Sequence, residues 1–133
     1  MKPTLSQIKD LVDHLAEKID APKELLPTYG YPIDKGNTDI EIDENGQIYY
    51  FPNERDRDRY LLRDIDDLLY YVFNGVTQMM ATKYELSRRV AGQDTRRIWF
   101  VEQERLLAVL DENWKLRKIK EHEQILKNHP FDD

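Results

Sequence analysis

Asp64-Ile-Asp-Asp-Leu-Leu-Tyr-Tyr-Val-Phe-Asn-Gly-Val-Thr-Gln-Met-Met-Ala-Thr-Lys-Tyr-Glu-Leu-Ser-Arg-Arg-Val90 carries the strongest pattern in the chain. Ile65, Leu68, Leu69, Val72, Phe73, Val76, Met80 and Tyr84 recur at i, i+3, i+4, i+7 and form a wide apolar stripe on a helix of period 3.6. A helix over 64–90 would be roughly 40 Å long at 1.5 Å per residue, long enough to cross a small domain. Between Leu68 and Ala81 little is charged on any side, which predicts a central helix with other elements packed around it. Asn74, Gly75, Thr77 and Gln78 interrupt the uncharged run and leave it too short for a membrane span of ~20 residues.

Outward from this helix the chain reads as one domain over residues 1–133. Thr4 and Gln7 make a capping box, and Leu5, Ile8, Leu11, Val12, Leu15 and Ile19 follow at helical spacing, which predicts a first helix over 4–20. A Pro- and Gly-rich loop with Leu25, Leu26, Tyr29 and Tyr31 leads to Thr38-Asp-Ile-Glu-Ile-Asp43, which alternates polar and apolar. Asn45-Gly46 signals a turn, and Gln47-Ile-Tyr-Tyr-Phe51 returns antiparallel, so a β-hairpin is expected over 38–51. Asn53-Glu-Arg-Asp-Arg-Asp-Arg-Tyr60 alternates in charge, as a solvated connection does. Beyond the central helix, Asp94 opens a helix over 95–110, and Asp111 or Asn113 opens another over 112–128 that Pro130 ends. The expected fold class is α+β, mostly helical, with about four helices around the long central helix and one antiparallel hairpin.

Composition narrows the function. The chain has no cysteine, which excludes thiol catalysis and cysteine-bound metals, and its N-terminus lacks the apolar core of a secretory signal; both fit a cytoplasmic protein. A formal net charge of −6 argues against non-specific nucleic-acid binding and fits a partner with a basic face. Ser6 and Ser87 lack a nucleophile-elbow setting, and no Gly-rich phosphate loop exists. His122 and His129 lie seven residues apart, but a metal site wants a third ligand. No catalytic residue, metal or cofactor is therefore assigned. Arg88, Arg89, Arg96 and Arg97 are the one basic concentration, read as ion-pair partners of Asp94 and other acids in preference to an anion site.

Leu68-Leu-Tyr-Tyr-Val-Phe73, then Thr77, Ala81, Tyr84-Glu85, Arg88-Arg89, Asp94-x-Arg96-Arg97-x-x-Phe100, Gln103, Trp114 and the terminal His129-Pro-Phe-Asp-Asp133 form an ordered set of motifs. This set resembles the Immunity protein 63 family of bacterial polymorphic toxin systems over about residues 38 to 133. The resemblance implies a cytoplasmic protein that binds and blocks a cognate toxin domain. Among the motif residues, Asp67, Leu69, Phe73, Tyr84, Phe100 and Trp114 are read as structural. Asp94, Arg96 and Arg97 with Glu85 are read as an ion-pair network pinning the central helix to the next. The expected partner-binding surface is the acidic hairpin, Asp39, Glu41, Asp43 and Glu44, with Tyr49 as an exposed anchor. Oligomeric state stays open between a monomer and a homodimer paired along a free hairpin edge. Two rivals stand beside this reading. One is an acidic regulatory adaptor with another basic partner; the other is a metal-dependent hydrolase gathering Asp64, Asp67, His122 or His129.

Overall fold

A computed structural model describes residues 3–30, 38–52 and 59–133. The described residues form helices α1 (Leu5–Lys18), α2 (Ile65–Leu86), α3 (Arg96–Leu110) and α4 (Glu112–Asn128), with strands β1 (Thr28–Tyr29), β2 (Asp39–Ile42), β3 (Ile48–Phe51) and β4 (Tyr60–Leu62). The protein is α+β and mostly helical. It comprises two compact units, Met1–Phe73 and Asn74–Asp133, and α2 contributes residues to both.

In the first unit, the Thr4 hydroxyl accepts the Gln7 N–H at 3.1 Å and the Gln7 carboxamide accepts the Thr4 N–H at 2.9 Å, completing the capping box of α1. Ile8 and Val12 are fully buried one turn apart, so α1 turns one apolar face inward. Asp20, with φ of 52°, ends the helix in the left-handed region.

The hairpin expected from the sequence is present as β2–β3, but it is the middle of a four-stranded mixed sheet in the order β1-β2-β3-β4. β1 runs parallel to β2 and β4 antiparallel to β3, so each edge of the hairpin carries a strand over part of its length. The turn also differs from the expected one. Asp43–Gly46 closes it, with the Gly46 N–H on the Asp43 carbonyl at 3.0 Å, and only Gly46 (φ 81°), not Asn45, takes positive φ. The charged connection over 53–58 and the 31–37 part of the early loop lie outside the described residues.

Strand alternation sorts the sheet into two faces. Ile40, Ile48, Tyr50 and Leu62 are buried on one, where Tyr71 of α2 meets the Tyr50 ring at 6.2 Å and the Tyr60 ring, nearly parallel, at 5.9 Å. The other face carries Glu41, Tyr49 and Leu61 directly opposite one another across three strands.

α2 begins on the Asp64 carboxylate, which accepts the Asp67 N–H at 2.8 Å. It stops at Leu86, one turn before the expected Val90. The Ser87 hydroxyl bonds the Tyr84 carbonyl at 3.0 Å, and the Arg88 N–H bonds the Glu85 carbonyl at 2.9 Å, so the last carbonyls are taken up early. In the second unit α3 packs on α4 around Phe100, Leu106, Leu107 and Trp114. Asp111, one of the two expected caps, opens α4 by accepting the Asn113 N–H at 2.8 Å.

Candidate interaction surface

The outward face of the sheet is the surface the sequence points to, and its residues divide by role. Asp39 shares the Glu41 side of β2 by alternation but is not exposed there. Its side chain is fully buried and its Oδ1 accepts the Thr28 hydroxyl at 2.6 Å and the Gly30 N–H at 2.9 Å, tying β1 to β2. The second oxygen has no hydrogen-bond partner among the described residues. Polar–apolar alternation suggests an outward carboxylate here, but the Thr28 hydroxyl and the Gly30 N–H take it up within the fold. Asp39→Ala should lower stability by about 1–3 kcal/mol through the donors it strands, read as a reduced urea midpoint.

Asp43 braces the turn, its Oδ1 accepting the Asn45 and Gln47 N–H groups at 2.9 Å each. Glu44 is exposed, and Glu41 half-buried. Tyr49 is half-buried, with its hydroxyl 3.1 Å from the Gln47 Oε1 and the Arg59 guanidinium 4.3 Å from its ring centre. Leu61, which sequence reading missed, stands beside Tyr49 and is 57% exposed. No helical or hairpin pattern marks Leu61, because it lies in a three-residue strand that reads as the end of a charged connection.

A second concavity, about 600 Å³, lies along α1 and the segment after it. Asp13, Glu17 and Asp20 line it together with Lys9 and Lys23, and Lys9 already pairs with Asp13 at 2.6 Å. The buried Tyr29 hydroxyl faces the same space; burial first, and Asp13 second, push its pKa well up. The mixed signs select no ligand.

The family-motif residues of the second unit turn inward or onto the chain itself. Glu85 is buried and holds Arg89, four residues on, through Nη2 at 2.8 Å and Nε at 3.1 Å, so it does not join the Asp94 network. The Asp94 carboxylate accepts from the Arg96 side chain (Nη2 at 2.8 Å), the Arg96 N–H and the Asp132 N–H, and the Asp94 N–H donates to Asp133. Those bonds, the Arg96 side chain first, hold the Asp94 pKa far below the carboxylate range. Arg96 also donates to the His129 and Pro130 carbonyls, while Arg97 grips Asp133 at 2.6 Å and lies 4.0 Å over the Phe131 ring. The network clamps the chain's last residues to the start of α3, where pinning of one helix to another was expected. Arg88 lies 3.8 Å over the Tyr84 ring. With every arginine of the cluster engaged by its own chain, nothing is arranged around an anion.

Asp67, Leu69, Phe73, Phe100 and Trp114 are buried, and Tyr84 is half-buried. Gln103, 1% exposed, joins three helices: its Nε2 donates to the Asn74 carbonyl at 3.0 Å and Thr77 Oγ1 at 3.2 Å, while its Oε1 lies 3.1 Å from His122 Nε2. The acceptors around Nε2 fix the carboxamide's orientation and leave its Oε1 toward His122. The imidazole stacks on Phe100 at 3.8 Å, and its Nδ1 sits 2.6 Å from Glu104. Burial pulls the His122 pKa down, and the Glu104 hydrogen bond opposes it. This histidine works within the core. Among the described residues no cluster of His, Asp and Glu is arranged to hold a metal, and no helix is long and apolar enough to cross a membrane.

A mostly helical α+β chain whose polar motif residues serve packing, with a mixed polar and apolar sheet face left outward, has the build of an interaction protein. The model of the family described as Immunity protein 63 matches residues 44–124, and the chain belongs to that family. No curated protein and no solved structure matches the chain.

Proposed function

We propose that this protein is the cytoplasmic immunity partner of a polymorphic toxin and neutralises the cognate toxin domain by binding it without catalysis. Membership in the Immunity protein 63 family carries this reading. The sheet supports it with a surface of suitable make-up: Tyr49 and Leu61 side by side, flanked by Glu41 and by the turn acids Asp43 and Glu44. Aromatic and aliphatic groups ringed by charge are typical of an interface centre, and the net charge of −6 favours fast capture of a basic toxin.

The toxin domain encoded beside this gene is expressed in a tester strain with and without the protein. Restored growth and a one-to-one complex are the expected result. Absence of both would sink the immunity reading and favour an acidic regulatory adaptor, which requires no adjacent toxin gene. Within a complex, Tyr49→Ala should weaken affinity by about 30-fold or more, as loss of an anchor does. Glu41→Lys with Glu44→Lys should slow association by about tenfold and flatten its salt dependence. Unchanged affinity in both variants would place the interface elsewhere.

A further inference from the structure

We infer that the sheet face is charge-polarised across its strands, and that its β4 side receives a carboxylate-bearing segment of the partner. The inference rests on the immunity reading for the partner's identity, but its geometry belongs to this chain alone. Across the row Glu41–Tyr49–Leu61 the character changes from acidic on β2 to apolar on β3 and β4. Arg59 and Arg63 bracket β4 two residues either side of Leu61; Arg59 lies over the Tyr49 ring, and Arg63 lines a recess together with Leu61. One face thus carries Glu41 and the turn acids at one side and two guanidinium groups at the other.

Three observations favour a carboxylate at the β4 side. A recess of about 420 Å³ opens where the turn meets β4, and Asn45, Gln47, Leu61 and Arg63 are among its lining residues. Guanidinium and carboxamide groups at one mouth are donors suited to a carboxylate. Second, the Arg63 side chain is 82% exposed and touches Asp67 only at 3.7 Å, so its donor fork reaches solvent. Third, the Arg59 guanidinium carbon lies over the Tyr49 ring, 4.3 Å from its centre. A cation–π contact of that kind holds a guanidinium in position while its remaining N–H groups can still donate.

Charge also decides against a second copy as the occupant. An antiparallel β4–β4 pairing centred on Leu61 would set Arg59 opposite Arg63 twice, and like charges directly opposite are destabilising. A partner segment with an apolar residue between two acids would instead set Asp or Glu against both arginines and its apolar side chain against Leu61. The neutralised toxin should therefore present such a segment together with bases facing Glu41 and Glu44. Overall acidity hides this requirement, because the arginines that flank β4 are outnumbered elsewhere in the chain.

The test has two arms. In the first, the neighbouring-gene toxin domain is titrated with native protein, Arg63→Glu, Arg63→Lys and Leu61→Asp. Arg63→Glu and Leu61→Asp are expected to weaken binding by about tenfold or more, with Arg63→Lys between native and Arg63→Glu because it keeps the charge and loses the fork. A complex that forms with native affinity in both Arg63→Glu and Leu61→Asp would overturn the inference. In the second arm, ¹⁵N-labelled protein is titrated with the peptide acetyl-Glu-Val-Leu-Val-Glu-amide and with its Lys-for-Glu counterpart, at millimolar concentration. Amide shifts confined to residues 45–49 and 59–63, seen only with the Glu peptide and lost in Arg63→Glu, are expected. No shifts, or equal shifts with both peptides, would overturn the inference. A toxin that fails to bind while the Glu peptide binds at β4 would refute the immunity assignment and leave the carboxylate site standing.

Discussion

Gln103→Ala is expected to destabilise the protein by about 3–5 kcal/mol, enough to remove much of the stability of a domain that typically has about 5–15 kcal/mol in total. The side chain is 1% exposed and serves α2, α3 and α4 at once, through Asn74, Thr77 and His122. Truncation strips His122 Nε2 of its partner and takes one donor from the Asn74 carbonyl and one from the Thr77 hydroxyl, in a space that water does not enter freely. Each such stranded group costs about 1–3 kcal/mol. Gln103→Met separates the causes, because it keeps nearly the same volume and loses only the hydrogen bonds. If the network matters more than the packing, Met and Ala should have urea midpoints close together and far below native. A Met variant within about 0.5 kcal/mol of native would show that packing alone holds the three helices.

Gln103 also shows where sequence reading stops. Periodicity located α2, α3 and α4 because apolar residues at helical spacing report which face is buried, and the Thr4–Gln7 box is a local signal with one physical meaning. A glutamine on a buried face has no such signature. Its partners Asn74 and His122 lie 29 and 19 residues away, and nothing in the spacing says that the three meet. The sheet was half legible for the same reason. β2 and β3 alternate and share a turn, whereas β1 is two residues long and held by the Asp39 side chain, and β4 adjoins a charged connection. Missing β1 made Asp39 look like a surface acid. Missing β4 hid Leu61 and the arginines that make the outward face bipolar.

The clamp on the chain end is the second place where a large effect is expected. Removing residues 129–133, or changing Arg96 to alanine, should lower the melting temperature by about 5 °C or more. Truncation removes the Asp132 N–H and the Asp133 carboxylate from Asp94, Arg96→Ala removes the side chain that holds it most strongly, and either loosens the start of α3, which lacks a side-chain cap at Thr95. The pH dependence identifies Asp94 as the cause. Its folded-state pKa lies far below the usual carboxylate value, lowered first by the Arg96 side chain and then by the Asp132 and Arg96 N–H groups. Above about pH 5 the carboxylate is ionised in folded and unfolded chains alike, and the stabilisation is fully present. As pH falls below that, the unfolded chain takes up the proton first, so stability is lost progressively with acidification. Asp94→Asn cannot titrate, and its urea midpoint should fall less than the native one between pH 5 and about 2.5. Parallel curves would mean that Asp94 binds its proton equally in both states, and the clamp would then owe its strength to Arg97, Phe131 and Asp133. Because every bond in it closes within the chain, weakening the clamp should reduce toxin neutralisation only in proportion to the folded protein lost. The sheet-face variants should do the reverse, reducing binding at unchanged stability.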